Sequence, residues 1–144
     1  MYLRLAKKSD IGDITRVIKK SFSKQDTKFS RKEVAEMFST SLNKPTYVVA
    51  IENNEIIGLA GFILSWFSFD IYEIFWVAVR PDFQGKGAGR ELVKNVIRRI
   101  KSFKGQYKAS GIILSTSSPQ FFERCGFEKI LVLPKKSFLM VMKL

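Results

Sequence analysis

The segment Gln84-Gly85-Lys86-Gly87-Ala88-Gly89 lies between a long apolar run and a helical pattern, and no other stretch of the chain is as informative. The run over residues 71–79 predicts a strand, which Pro81 ends. After Gly89, apolar residues recur at helical spacing. Three glycines at alternate positions leave backbone N–H groups uncovered where that helix begins. These donors, together with the positive end of the helix dipole, predict a phosphate-binding site.

Two common phosphate-binding motifs do not fit this segment. A P-loop needs a serine or threonine after its lysine to bind Mg²⁺, but Gly87 follows Lys86. The dinucleotide fingerprint Gly-x-Gly-x-x-Gly would place its third glycine at Arg90. The phosphorylated ligand is therefore of another kind.

Length and composition predict a single domain over residues 1–144, with 46% hydrophobic and 26% charged residues. One cysteine and no histidine argue against a disulfide framework and against a metal site. Residues 56–69 form the longest uncharged apolar stretch, shorter than the roughly 20 residues that span a bilayer. We therefore expect a cytoplasmic, metal-free protein with no membrane partner.

The net charge of +12 is unevenly distributed, because residues 61–144 carry 14 Lys/Arg against 6 Asp/Glu. This excess would attract a polyanionic cofactor, and it would also attract nucleic acid or a ribosome. No aromatic–basic single-strand signature accompanies the lysines and arginines, so a solvated basic surface is the default interpretation.

The order of predicted elements is β-α-α-β-β-β-α-β-α-β-β. Ser9 or Asp10 is a candidate cap of the first helix, and Ser30 with Glu33 forms a candidate capping box for the second. Asn53-Asn54 predicts a hairpin turn, and Gly126 predicts the end of a short helix.

The loop matches the pattern Gln84-x-x-Gly87-x-Gly89, and Val77-Ala78-Val79-Arg80-Pro81 precedes it. Together they resemble the acetyl-CoA-binding motif of the GCN5-related N-acetyltransferases (the GNAT family). The resemblance implies an α/β fold with a central mixed sheet of about six to seven strands and about four flanking helices. It also implies an enzyme that uses acetyl-CoA as co-substrate and transfers the acetyl group to a primary amine by direct attack.

The resemblance assigns cofactor roles to two groups of backbone atoms. Main-chain N–H groups of the loop would bind the pyrophosphate, and the strand before it would pair with the pantetheine amides. The residues implied are Val77, Ala78, Val79, Gln84, Gly85, Lys86, Gly87, Ala88, Gly89 and Arg90. Arg80 is a further candidate for charge near the phosphates.

Glu73 is the candidate catalytic residue. Strict alternation would place Ile71, Glu73, Phe75, Val77 and Val79 on one face of the strand. Histone-type family members carry a glutamate at the matching position, where it deprotonates the acceptor ammonium. The alternative is a structural carboxylate that pairs with an arginine or lies at a solvated sheet edge.

Phe122 departs from the family pattern Phe-Tyr-Glu-x-x-Gly-Phe, in which the tyrosine protonates the leaving CoA thiolate. Its absence should slow transfer rather than abolish it, with water, Ser117 or Ser118 as substitutes. An acyl-CoA-binding module with little turnover, or a basic RNA- or ribosome-associated protein, therefore remains an alternative. Cys125 is interpreted as a packing residue.

Most of the dense aromatics around the central strand are expected in the core, with a few in the acceptor pocket or in a homodimer contact: Trp66, Phe67, Phe69, Tyr72 and Trp76. The N-terminal helices and the loop over residues 65–70 are expected to shape the acceptor site, and the acceptor itself has no readable signature.

Overall fold

A computed structural model describes residues 1–144 as a seven-stranded sheet in the order β1-β2-β3-β4-β5-β7-β6. Only β4 and β5 run parallel, while the other neighbours are antiparallel. The strands are β1 (Tyr2–Leu5), β2 (Thr46–Glu52), β3 (Glu55–Leu64), β4 (Ile71–Val79), β5 (Gly111–Thr116), β6 (Glu128–Leu133) and β7 (Ser137–Lys143). The helices are α1 (Ile11–Ser21), α2 (Ser30–Ala35), α3 (Ala88–Ser102) and α4 (Pro119–Arg124). The predicted mixed α/β fold and its element order are confirmed.

Apolar stripes on the helices build one core on each face of the sheet. The stripe of α3 includes Leu92, Val93 and Val96, all without solvent exposure, and packs on one face. Ile14 and Ile18 of α1 join Val34 of α2 on the other face. Burial on both sides explains why the central strands read as nearly continuous apolar runs.

A β-bulge in β4 changes which side chains share a face. The register with β3 shifts between Leu59 and Gly61, and Trp76 adopts a φ of 49°, a strained conformation for a bulky residue. Phe75 therefore packs against the α1 core, whereas Val77 packs against the α3 core. The prediction of one common face for residues 71–79 is wrong beyond Phe75.

Strands β4 and β5 pair only at their first residues. Ile71–Glu73 are in register with Gly111–Ile113, after which the parallel ladder ends. The rest of β5 pairs on its other edge with β7. From Ile74 onward, β4 thus has an unpaired edge that faces β5 across an opening.

The two predicted helix caps are wrong, while the turn at Asn53-Asn54 is confirmed by positive φ values of 50° and 63°. The Ser30 hydroxyl donates to the Thr27 carbonyl instead of capping α2. Asp10 is the N-cap residue of α1, but its carboxylate does not cap that helix. It accepts hydrogen bonds from the Arg4 guanidinium at 2.7 and 3.2 Å and from the Lys7 N–H at 2.7 Å, and the last bond caps the short 3-10 helix Lys8–Asp10. The pair with Arg4 fixes β1 to the start of α1.

We expect Asp10→Asn to lower the free energy of unfolding by about 1–3 kcal/mol at pH 7, because a buried charged hydrogen-bond network is broken. The Arg4 guanidinium lowers the pKa of Asp10, so its contribution is complete above the unfolded-state pKa of about 3.9. The contribution is lost as pH falls through the lower folded-state pKa. Urea unfolding at pH 7 and pH 3 measures the change.

The control is Asp13→Asn, which removes an exposed pair with Arg16. It should cost less than about 1 kcal/mol at either pH. Equal losses in the two variants at pH 7 would contradict the role given to Asp10.

Candidate active site

Six consecutive backbone N–H groups, those of residues 85–90, lack a backbone acceptor. Gly85 and Gly87 adopt φ values of 76° and 89°, and Gly87 is the N-terminal cap of the 15-residue helix α3. A Cβ atom at either glycine would meet nothing within 4 Å, so the loop is open to solvent on that side. Free donors at the positive end of a helix dipole make an anion-binding cradle.

Side chains around this loop hold it in place. The Gln84 Nε2 donates to the Val79 carbonyl at 2.9 Å and so ties the turn to the end of β4. Arg80 forms ion pairs with Glu55 at 3.0 Å and with Asp82 at 2.8 Å. Its positive charge, a candidate for binding the phosphates, is therefore already paired within the chain. Lys86 lies over the Phe83 ring, 5.3 Å from its centroid.

A cleft of about 1330 Å³ follows the opening between β4 and β5 and reaches the glycine loop. Nine of the ten residues assigned to the cofactor line it: Val77, Ala78, Val79, Gln84, Gly85, Gly87, Ala88, Gly89 and Arg90. Lys86 is the exception: it is not part of the lining, and its Nζ lies over the Phe83 ring. The cleft thus brings the loop and the free edge of β4 into one continuous surface.

The lining of the cleft also includes two cations for which the sequence showed no functional signal. Arg124 of α4 and Lys135 of the β6–β7 turn join Arg90 in its lining, and none of the three makes an ion pair. Their convergence depends on long-range pairing of β5 with β7, for which the local sequence has no signal.

Glu73 lies in the same cleft and is half-buried, without a hydrogen bond or ion pair from the chain. The segments after α1 and within α2 contribute another part of the lining, with Phe22, Asp26 and Glu33. The Trp76 Nε1–H donates to Glu33 at 3.3 Å, and the Trp76 ring packs edge-on against Phe22 with 5.0 Å between centroids. This part of the cleft is aromatic and acidic.

Only Trp76 of the five aromatics around the central strand lines the cleft. Tyr72 is buried, as expected, but Trp66, Phe67 and Phe69 are exposed. The expectation that most are core is therefore wrong. The loop over residues 65–70 also contributes nothing to the cleft.

Phe122 lies at the base of the cleft and is mostly buried against Phe121 and Phe127, at centroid distances of 4.9 and 5.9 Å. Ser117 and Ser118 line the cleft nearby and are exposed, so hydroxyl groups are present although the tyrosine is missing. Burial raises the pKa of the Cys125 thiol, which suits a packing role better than a nucleophilic one.

Comparisons with known proteins agree with this geometry. A GNAT-family protein from Desulfovibrio desulfuricans is 20% identical with a TM-score of 0.81, covering 99% of this chain and 98% of its own. An aminoglycoside 6'-N-acetyltransferase solved with coenzyme A is 15% identical with a TM-score of 0.82, covering 99% and 97%. A GNAT-family N-acetyltransferase from Escherichia coli, also solved with CoA, is 19% identical with a TM-score of 0.77, covering 99% and 80%.

These likenesses establish the fold, while a search of curated proteins finds no match. The family model for the acetyltransferase (GNAT) family matches residues 13–127, which include β4, the glycine loop, α3 and α4. By that match, and by a cleft built around free loop amides and an open strand edge, this chain belongs to the GNAT family of acetyltransferases.

Proposed function

We propose that this protein transfers an acetyl group from acetyl-CoA to a primary amine by direct attack. The observation that carries the proposal is one cleft that joins unpaired loop amides, the open edge of β4 and an unpaired carboxylate. Bound acetyl-CoA would supply a thioester carbonyl as the electrophile. Within residues 1–144, proposed as one domain, the chain's task is to bind, orient and move protons.

The N–H groups of residues 85–90 would bind the pyrophosphate, with Arg90 and Lys135 adding positive charge. The unpaired edge of β4 over Val77–Val79 would hydrogen-bond the pantetheine amides as an added strand does. Gly85 and Gly87 leave room for phosphate oxygens to approach the backbone closely.

Glu73 would accept a proton from the acceptor ammonium, directly or through water, since only the neutral amine can attack. Its carboxylate has no competing cation in the chain, which leaves it free for this task. The amine nitrogen forms its bond to the acetyl carbon as the carbon–sulfur bond breaks. The thiolate then takes a proton from water, Ser117 or Ser118.

Transfer is tested by mixing purified protein, acetyl-CoA and a panel of amines that includes aminoglycosides, polyamines and lysine peptides. Release of free thiol, with an N-acetylated product found by mass spectrometry, is the expected result. Thiol release without any acetylated amine across the panel would argue against amine transfer.

A second candidate is an acyl-CoA-binding module with little turnover, which the missing hydroxyl at Phe122 favours. It predicts thermal stabilisation by CoA together with no turnover above the uncatalysed rate for any amine.

Replacing Glu73 with Gln should lower kcat by roughly 10²–10⁴-fold while leaving CoA affinity within about twofold, because general base catalysis is lost and the phosphate site is intact. Steady-state kinetics and calorimetry measure the two effects. Glu123→Gln, an exposed glutamate outside the cleft, is the matched control. Full activity in the Glu73 variant would remove it from the mechanism.

Gly87→Ala should weaken CoA binding by about tenfold, since a Cβ disfavours the φ of 89° and tilts the loop amides. Calorimetric titration with CoA measures this change. Gly105→Ala, in a loop without positive φ, should bind normally. Unchanged affinity at Gly87 would mean that the loop does not hold the diphosphate.

Phe122→Tyr restores the hydroxyl that many family members carry and should raise kcat, by up to about 10²-fold if protonation of the thiolate limits the rate. Rates with acetyl-CoA at saturating amine give the measurement, and Phe121→Tyr serves as a neighbouring control. A folded Phe122 variant with the parent rate would show that the thiolate needs no such donor.

A further inference from the structure

Six of the large hydrophobic side chains that are exposed lie at one end of the sheet, opposite the glycine loop. They come from three loops, before β2, between β3 and β4, and between α3 and β5, and we call them the aromatic end surface: Leu42, Trp66, Phe67, Phe69, Phe103 and Tyr107. Leu42 is 96% exposed and Trp66 73%. Such a concentration of apolar groups marks an interaction site rather than a random surface.

Ring stacking and hydrogen bonds connect the three loops, so that this surface forms one structural unit. The Phe69 and Tyr107 rings stack with 6.3 Å between centroids. The Asp70 carboxylate accepts hydrogen bonds from the hydroxyls of Ser68 and Ser110, which joins the second loop to the third. The Asn43 Nδ2 donates to the carbonyl of Leu64, the last residue of β3, at 2.7 Å, which joins the first loop to the start of the second. The apolar side chains are thus exposed on a structured base.

Lysines surround the aromatic end surface, and they favour an anionic partner. Lys44, Lys101, Lys104 and Lys108 lie in or beside its loops and are exposed. The acids there are Asp70, engaged by Ser68 and Ser110, and Glu36, engaged by Ser39 and Ser41. A second copy of this chain would bring the two sets of lysines together, so the charge argues against self-association.

The chemistry distinguishes a lipid surface from RNA. Base stacking needs flat groups, namely aromatic rings or guanidinium planes, whereas a bilayer interface also accommodates an aliphatic side chain such as Leu42. Tryptophan and tyrosine are enriched at the bilayer interface, phenylalanine and leucine insert beside them, and neighbouring lysines contact anionic headgroups. We propose that the aromatic end surface docks this protein on membranes rich in anionic phospholipid.

This arrangement differs from a membrane span, and none of the helices has the length and apolar character to cross a bilayer. The expectation of no membrane partner rested on the length of the apolar stretch over residues 56–69, which concerns spanning and not docking. Strand β4 separates the surface from the glycine loop by about 26 Å, at about 3.3 Å per residue over Ile71–Val79. Docking and cofactor binding are therefore independent, and failure of one leaves the other standing.

The test is co-sedimentation of the protein with vesicles of phosphatidylglycerol and of phosphatidylcholine. We expect at least tenfold stronger partitioning onto phosphatidylglycerol, and its loss with added salt. The triple variant Trp66→Ser, Phe67→Ser, Phe69→Ser should lose binding by at least tenfold. The control Ile130→Thr, Leu131→Thr, Val132→Thr removes as many exposed apolar side chains from β6 and should bind normally.

Two double lysine-to-glutamine variants separate the electrostatic contribution to membrane binding from the hydrophobic one. Lys104→Gln with Lys108→Gln should weaken partitioning by about 25-fold, given about fivefold per lysine near the membrane. Lys19→Gln with Lys20→Gln, at the exposed end of α1, should have a smaller effect.

Trp66 also reports its own environment, since the chain has two tryptophans and Trp76→Phe leaves Trp66 alone. Its emission should shift to the blue on phosphatidylglycerol vesicles. Circular dichroism checks the fold of each variant. Equal binding to both lipids, equal loss in the β6 control, or a surface that binds RNA or a second copy but no vesicles would each overturn the proposal.

Discussion

The site depends on six backbone N–H groups that the fold leaves without acceptors at the start of α3. These donors lie in a loop that is open to solvent at the start of a long helix, so they can bind an anionic ligand without giving up an acceptor within the chain. Gly85 and Gly87 make the arrangement possible because their φ values of 76° and 89° are rarely open to other residues. The other parts of the cleft, which are the open edge of β4 and the Glu73 carboxylate, are positioned with respect to this loop.

Strand β4 connects the loop to the chemistry. The bulge at Trp76 places Val77 and Val79 on the α3 side while Phe75 stays on the α1 side. Because β5 leaves β4 after Glu73, the same strand presents an open backbone edge and a free carboxylate. The separation of β4 from β5 is thus a structural requirement of the cleft, and the half-buried Glu73 lies where the two strands part.

The sequence predicted the parts of this protein that local chemistry determines. The glycine loop, the strand before it and the helix after it are each encoded within a few residues, as is the turn at Asn53-Asn54. The bulge at Trp76 was not predictable, since pairing with β3 imposes a positive φ on a tryptophan. Asp26 and Glu33 reach the cleft through the path of the chain between α1 and α2, which no periodicity reveals. The prediction that Trp66 and Phe67 lie in the core was wrong because hydrophobicity predicts burial only on average, and these two side chains are exposed.

The most direct test of the central claim is amide nuclear magnetic resonance on the folded protein titrated with CoA. The account predicts that the largest shifts, with slowed hydrogen exchange, occur at the N–H groups of residues 85–90 and along Val77–Val79. Saturable CoA binding that leaves those amides unchanged, or no binding at millimolar CoA, would contradict it.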